Sequence, residues 1–323
     1  MAASEQTAFW RGKDVAITGA CGYLGRALAQ DLAERGASLV LLDRVPADEL
    51  EDLQASAKVE FRRGDLLDPA FVETVCDTNR FDVCFHLAGQ PGVAASHADP
   101  MEAFASNCQA TWVLLDALRR YAPSSRIVVV SSNHVYGEQT TFPTTEEAPL
   151  RAEEVYGASK ACGDVVAQGF ARAYGLPLAI ARITNTFGGE DPHSDHLVTG
   201  TLRSLLAGEA PVIRCSGKDV KGFLYLADTL RALRIIAERL DDEAVVGEAF
   251  NLCPDEPISV LDLVRTMMRV AGREHLSPIV LDQSPGPPEY EHLSNAKAKA
   301  LLGWEPQYSL EAGLKEALET IRG

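Results

Sequence analysis

The sequence predicts an α/β protein built on a doubly wound parallel sheet with a smaller C-terminal lobe, and three observations carry that reading. Short apolar runs alternate with amphipathic segments from Asp14 to Thr184, the pattern of strand–helix–strand units. The first apolar run passes straight into a glycine-rich turn and a helical pattern. The length, 323 residues, suits one large domain with an appended lobe. The division expected is 1–184 for the doubly wound domain and 185–323 for the lobe, with some later segments returning to the main sheet.

Val15-Ala16-Ile17-Thr18 reads as a short buried strand. It leads into Gly19-Ala20-Cys21-Gly22-Tyr23-Leu24-Gly25, after which Arg26 to Arg35 continues as a helix. Glycines at 19, 22 and 25 let the backbone turn tightly and approach a pyrophosphate, whose charge the free amides at the helix start would hold. A second strand, Ser38 to Leu42, ends at Asp43, about 20 residues further on. A carboxylate there can accept from both ribose hydroxyls of adenosine and repels a 2′-phosphate, so NAD is the cofactor expected, with Arg44 beside it as the opposing charge.

Val59 to Leu66 reads as the third strand, with Asp65 at its end where an adenine amino group could be met. A helix from Pro69 to Cys76 precedes a strand at Val83–Ala88, which opens into the small residues of Gly89-Gln90-Pro91-Gly92 and so leaves room for a ligand. Pro100 to Tyr121 reads as one long amphipathic helix carrying Asn107. Arg126 to Val130 is the apolar central strand, and it ends in Ser131-Ser132-Asn133-His134 at the face where open α/β sheets bind ligands. A Pro- and Thr-containing loop from Thr140 to Leu150 follows. The next helix, reaching about Tyr174, carries Tyr156 and Lys160 four residues apart and hence on one face. A phenol of pKa ~10 becomes a base near neutrality only where a cation stabilises the phenolate, and Lys160 is placed to do that.

Pro177 to Thr184 supplies one more strand. Beyond it come a loop at Asp191–His196, a helix at Thr199–Leu206 and a stretch from Ile213 to Tyr225 that carries Arg214, Lys218 and Lys221. Apolar-periodic segments at Ser259–Val270 and Leu310–Ile321 flank the turn-rich linker Pro285-Gly286-Pro287-Pro288. The formal net charge of −16 argues against nucleic acid or an anionic membrane as partner. Seven scattered cysteines suggest neither a disulfide framework nor a metal site. No apolar run approaches the ~20 residues of a membrane span, and Met1 to Asp14 does not read as a leader, so a cytoplasmic protein is expected.

Thr18 to Gly25, Gly64-Asp65-Leu66, His86-Leu87-Ala88, Ser132, Tyr156 with Lys160, Arg182 to Gly188 and Leu301 to Pro306 together carry a resemblance that covers nearly the whole chain. It resembles the extended short-chain dehydrogenases/reductases of the nucleotide-sugar epimerase/dehydratase family. The resemblance implies a Rossmann-like fold, NAD as cofactor, a nucleotide-diphosphate sugar as substrate and a homodimer. It also implies that Tyr156 is the base for sugar oxidation, that Lys160 lowers its pKa and holds the nicotinamide ribose, and that Ser132 positions the sugar hydroxyl. Gly19, Gly22, Tyr23, Leu24, Gly25, Asp43, Arg44, Asp65, Leu66, Leu87 and Ala88 would line the cofactor, and Gln90, Asn133, Asn185, Arg214 and Lys221 the substrate, with Asn185 at the diphosphate. Gly208 to Arg214 is similar to the branch that contains nucleotide-diphosphoglucose 4,6-dehydratases.

The chain departs from that family pattern at two places. Its dehydratases carry Asp-Glu directly after the catalytic Ser or Thr, as acid and base for eliminating the C6 hydroxyl; here Asn133-His134 stand there. Where the family has an Arg-Asp-aromatic motif, this chain has Lys221-Gly222-Phe223, a point charge in place of a planar fork. The Ser-Asn-His run is similar to that of uronate dehydrogenases, where it contacts a sugar carboxylate. The function expected is therefore NAD-dependent epimerisation through transient oxidation at sugar C4, which needs no further acid or base. Dehydration, or epimerisation or decarboxylation of a uronic sugar using His134, stays open. So does a non-catalytic NAD-binding regulator, against which the intact Ser132, Tyr156 and Lys160 argue.

Overall fold

A computed structural model of the chain describes residues 8–46, 50, 53, 58–283 and 288–322; most of the expected Pro-Gly-Pro-Pro linker, 285–287, lies outside them. In chain order the first elements are β1 (Asp14–Thr18), α1 (Tyr23–Glu34), β2 (Ser38–Asp43), β3 (Val59–Arg63), α2 (Pro69–Thr78), β4 (Val83–His86), α3 (Val93–Ala98), α4 (Pro100–Phe104), α5 (Ala110–Tyr121), β5 (Arg126–Ser132), α6 (Val155–Tyr174) and β6 (Leu178–Ile183). There follow β7 (Asn185–Phe187), α7 (Leu197–Leu206), β8 (Val212–Ile213), β9 (Val220–Lys221), β10 (Phe223–Tyr225), α8 (Leu226–Glu238), β11 (Ala249–Leu252), β12 (Ile258–Ser259), α9 (Val260–Val270), β13 (Ile279–Val280) and α10 (Leu310–Arg322). The chain divides into two compact units. The first is Met1–Glu138, Glu147–Arg182 and Ala232–Phe250; the second is Gln139–Glu146, Ile183–Arg231 and Asn251–Gly323.

The first unit is organised by a seven-stranded sheet in the order β11-β6-β5-β4-β1-β2-β3. Strands β3, β2, β1, β4 and β5 run parallel, with Val15 of β1 opposite Leu39 of β2 and Val83 of β4. Helices cover such a sheet on both faces, which is why the strands are apolar throughout: in β5 every residue after Arg126 is buried. Leu114, Leu118, Ile127, Val129 and Ile180 belong to one core cluster of this unit. The chain winds from β1 outward to β3 and then returns to the other side of β1 at β4, so strand order reverses between β1 and β4. Thr18 and His86 are register partners at those two strand ends. The glycine turn after Thr18 and the segment after His86 therefore leave the sheet side by side, at the switch point where doubly wound folds bind ligands.

Local signals set the helix ends. Asp68 caps α2 by accepting from the Ala70 amide, and Pro69 takes the first helical position, where its missing N–H costs nothing. Gly175, at φ +64°, ends the twenty-residue α6 in the left-handed conformation. The segment expected as one helix from Pro100 to Tyr121 is instead α4, a π turn over Ala105–Gln109 and α5. A π turn has one residue more per turn than its neighbours, so it re-aims the side chains it carries, among them the buried Asn107.

The second unit holds three two-stranded pairings, β7 with β10, β8 with β13 and β9 with β12. Its core gathers Leu202, Leu205, Leu263, Met267 and Leu314, all fully buried. Asp228, at the start of α8, accepts from the Gln307 and Tyr308 amides at 2.9 Å each, while Trp304 Nε1 donates to its backbone oxygen. The Gly303-Trp304-Glu305-Pro306 signature thus has a structural task, fastening the chain ahead of α10 to the start of α8. Among the described residues no helix is long and apolar enough to cross a membrane.

Candidate active site

The glycine turn is required by close approach. A Cβ on Gly25 would lie 2.1 Å from Gly19 O, and one on Gly19, at φ +69°, would lie 2.7 Å from Ala88 N. Only glycine lets this backbone pass so near the start of α1 and the end of β4. Tyr23 and Leu24 open α1 with Gly22 as its cap residue, so its first amides face out of the turn. Asp43 accepts from Cys21 N at 2.9 Å and Val45 N at 3.2 Å, which fixes the carboxylate beside the turn. Arg44 is ion-paired with Glu102 at 2.5 Å, Asp65 Oδ1 accepts from Leu67 N, and Leu66 is buried. Across the switch point, Leu87 N donates to Thr18 O and Ala88 N to Thr18 Oγ1.

The next strand end carries the candidate catalytic residues. Ser132 closes β5, and its hydroxyl lies on the side of the Tyr156 phenol. Burial pushes the Tyr156 phenol above its ordinary pKa; the Ser132 hydroxyl draws it back down and the Glu154 carboxylate adds to the rise. Lys160 Nζ donates to Val130 O at 2.8 Å. Burial lowers the pKa of this ammonium to about 8, an effect that Asp164 one helical turn on partly offsets. The lysine expected to act on the phenol directly thus has its hydrogen bond on β5 instead. His86, between Thr18 Oγ1 and Thr111 Oγ1, is driven down to about 3 by burial and then by Lys160, so it is a neutral structural imidazole.

Asn133 and His134 follow Ser132 in a single 3₁₀ turn, Asn133–Tyr136. Asn133 Oδ1 accepts from Ser132 Oγ at 3.4 Å, and His134 N donates to Ser132 Oγ at 3.3 Å. The His134 ring stands edge-on to Tyr156, with centroids 5.4 Å apart, and its Nδ1 lies 3.2 Å from Glu154 Oε1. Glu154 is the N-cap of α6, and both its oxygens accept amides: Oε2 from Tyr156 N and Oε1 from Gly157 N, each at 2.7 Å. Burial opposes its ionisation, but the bonds from His134 and from the Gly157 and Tyr156 amides outweigh that and hold it below the usual carboxylate range.

Several contributors had no role in the sequence reading. Asn107 Nδ2 donates to Ser159 Oγ at 2.9 Å and to Gln90 O at 3.2 Å, so the π turn is tied to α6 and to the loop after β4. Its Oδ1 is buried without a hydrogen-bond partner among the described residues, as is Gln90 Oε1. A Cβ on Gly89 would lie 2.3 Å from Asn107 Oδ1 and 3.8 Å from Lys160 Nζ. Arg182 donates to both oxygens of Asp164 and to Tyr136 Oη, all at 2.9 Å, and locks α6 to β6 and the 3₁₀ turn. Arg182 was legible as part of a motif; Glu154 and Asn107 carry no signal apart from an acid just ahead of a helix and an amide on an amphipathic one.

The residues expected at the cofactor and the base thus fall in the first unit, whereas Asn185, Arg214 and Lys221 belong to the second. Asn185 Nδ2 donates to Gly222 O, and Arg214 is exposed on the segment after β8. Lys221 Nζ reaches Glu289 at 2.6 Å and Glu291 at 3.2 Å; burial disfavours its charge, but these two carboxylates more than restore it and hold its pKa above the ordinary value. The glycines that side chains would clash with, the Asp43 carboxylate beside them and the unpaired amide oxygen of Asn107 near Lys160 fit a dinucleotide with a ribose at each end.

Comparison with known proteins agrees. The model of the NAD dependent epimerase/dehydratase family matches residues 15–253. The UDP-glucose 4-epimerase of Mycolicibacterium smegmatis is 28% identical, over 95% of this chain and 97% of its own. The dTDP-glucose 4,6-dehydratase of Xanthomonas campestris is 27% identical, over 94% of this chain and 91% of its own. The structure of a UDP-glucose 4-epimerase from Thermotoga maritima with UDP-glucose superposes with a TM-score of 0.86 at 27% identity, covering 96% of this chain and 98% of that one.

Proposed function

Since the chain belongs to the NAD dependent epimerase/dehydratase family, a family of enzymes, we propose that it is a nucleotide-sugar 4-epimerase that oxidises the sugar at C4 and reduces the ketone from its other face. The observation that carries the proposal is Ser132 at the end of β5 facing Tyr156, with Lys160 one helical turn on and Asn133 and His134 standing where elimination would use an acid pair. NAD, when bound, supplies the acceptance and return of a hydride. The chain's own residues handle the proton. Tyr156 Oη takes the proton of the C4 hydroxyl in the first half and returns it to the C4 oxygen in the second. Ser132 Oγ, facing the phenol, holds the C4 oxygen against it. Lys160 carries its charge up to a pH of about 8 and favours the phenolate by its field. Asn133 can orient a hydroxyl but has no acidic proton to give a departing one.

Dehydration is the second reading, favoured by one observation: Glu154 holds His134 at 3.2 Å, and a carboxylate–imidazole pair is an acid–base device. The same His134 is the reason to include a uronic sugar among the first substrates. The test is incubation with NAD and a panel of UDP-, dTDP-, CDP- and GDP-sugars, followed by product mass. Unchanged mass with a new isomer supports epimerisation, loss of water dehydration, and loss of carbon dioxide decarboxylation.

The working form proposed is a cytoplasmic homodimer. Met101, Trp112 and Val165, 80%, 43% and 59% exposed, are the apolar side chains of α4, α5 and α6 that a second copy would cover. Light scattering that returns the mass of one chain contradicts the dimer.

A further inference from the structure

The end of β2 carries a cation that NAD does not need. Arg44 directly follows Asp43, the carboxylate expected at the adenosine ribose, and an arginine at that place is the group that takes the 2′-phosphate of NADP. In the fold its guanidinium is committed elsewhere. Arg44 Nη1 donates to Glu102 Oε1 at 2.5 Å, across 58 positions of chain. Arg63 Nε donates to Arg44 O at 3.2 Å, which holds the Arg44 backbone as well. Arg63 is the register partner of Asp43 on β3, and Arg62 beside it is paired with Glu60 at 2.5 Å. These arginines around Asp43 thus each have a partner within the chain. The residue that holds Arg44 is itself held: Glu102 N donates to the cap Asp99 at 3.0 Å, and Glu102 O accepts from Ser106 Oγ at 2.8 Å. An acid three residues after a cap ordinarily turns back to the cap amide, whereas this one reaches Arg44. The contact lies within one chain and needs no access from outside, so a second copy covering the exposed Met101 leaves it in place.

We infer that Glu102 is a positioning residue for cofactor choice: by holding Arg44 it keeps the guanidinium from a 2′-phosphate, and together with Asp43 it selects NAD over NADP. The two carboxylates act differently. Asp43 accepts from a 2′-hydroxyl and repels a phosphate in its place, whereas Glu102 competes for the cation that would offset that repulsion. NADP must therefore break the Arg44–Glu102 pair before its phosphate gains a partner, and NAD need not. The inference rests on NAD as the cofactor and is independent of which sugar reaction the chain carries out.

The test is the dissociation constant of NADH and of NADPH, read by fluorescence titration of the full chain and its variants. Glu102→Gln keeps the shape of the side chain and removes its charge. It should lower the ratio of the NADPH constant to the NADH constant about fivefold, the upper end of what an exposed ion pair contributes. Glu102→Lys, which also repels Arg44 from α4, should lower the ratio further. In an Arg44→Gln background the Glu102→Gln change should leave the ratio where it stands, because the gain passes through Arg44. Overturning results are a wild type that prefers NADPH, a ratio that neither Glu102 variant moves, a parallel loss of both cofactors, or an equal gain in the Arg44→Gln background, which would make Glu102 a plain negative charge near the site.

Discussion

Tyr156 and Lys160 are held by burial on the less reactive side of their titrations: the phenol is pushed up, the ammonium down. Tyr156→Phe keeps the ring and its packing but removes the oxygen that moves the proton. It should leave NAD affinity intact and lower turnover on the order of a hundredfold or more, read by cofactor titration and initial rates. A near-normal rate would remove Tyr156 from the reaction. For Lys160 the folded pKa of about 8 lies below the ordinary lysine value of 10.5, so between those pH values the unfolded chain binds more protons than the folded one. Stability therefore rises with pH across that window, and below about 8 the full cost of the buried charge is present. Lys160→Met has no such titration, so the wild type should gain on it by up to about 3 kcal/mol from pH 7 to pH 10.5. Urea unfolding at both pH values checks this, and a constant difference contradicts it. Ser132, Tyr156 and Lys160 were legible because a strand end and a four-residue helical spacing place them. Asn107 and Glu154 were not, since their partners Ser159 and His134 lie 52 and 20 positions away and meet them only in the fold.

At the scale of elements, the glycine turn and the end of β2 act as one device, because Asp43 accepts the Cys21 amide from inside the turn. Asp43→Ala should weaken NAD more than NADP, since only NAD offers a 2′-hydroxyl for this carboxylate to accept from. Equal loss for both, by titration, would make Asp43 a brace for the turn alone. Strands β1, β2, β4 and β5 were readable as short apolar runs bounded by turn residues, and the sheet confirms each of them. The π turn was not readable, because its wider turn leaves the amphipathic pattern of Pro100 to Tyr121 almost unchanged while it swings Asn107 inward. Helix α8 and strand β11 also went unassigned. The strand is only Ala249–Leu252, too short for an alternation to stand out, and Asn251 interrupts its apolar run.

For the whole molecule, the length and the strand–helix alternation set the class of fold, whereas each unit is assembled from three separate stretches of chain. The sequence reading divides it at 184/185; the first compact unit ends its middle stretch at Arg182 and then takes Ala232–Phe250 as well. That return is a long-range pairing, Ile180 N to Glu248 O, which no local pattern announces. Lys221, expected as a nucleotide contact, lies between Glu289 and Glu291, acids nearly 70 positions on that a local reading could not bring to it. In the proposed reaction a phenol beside a serine removes and restores one proton at C4 while the carbon's own hydrogen leaves and comes back. The most direct measurement is incubation of a UDP-hexose carrying deuterium at C4, with the product read by NMR and mass. The account predicts an isomer inverted at C4 that keeps its mass and its deuterium at C4; a product that has lost water, or whose deuterium has moved to another carbon, would contradict it.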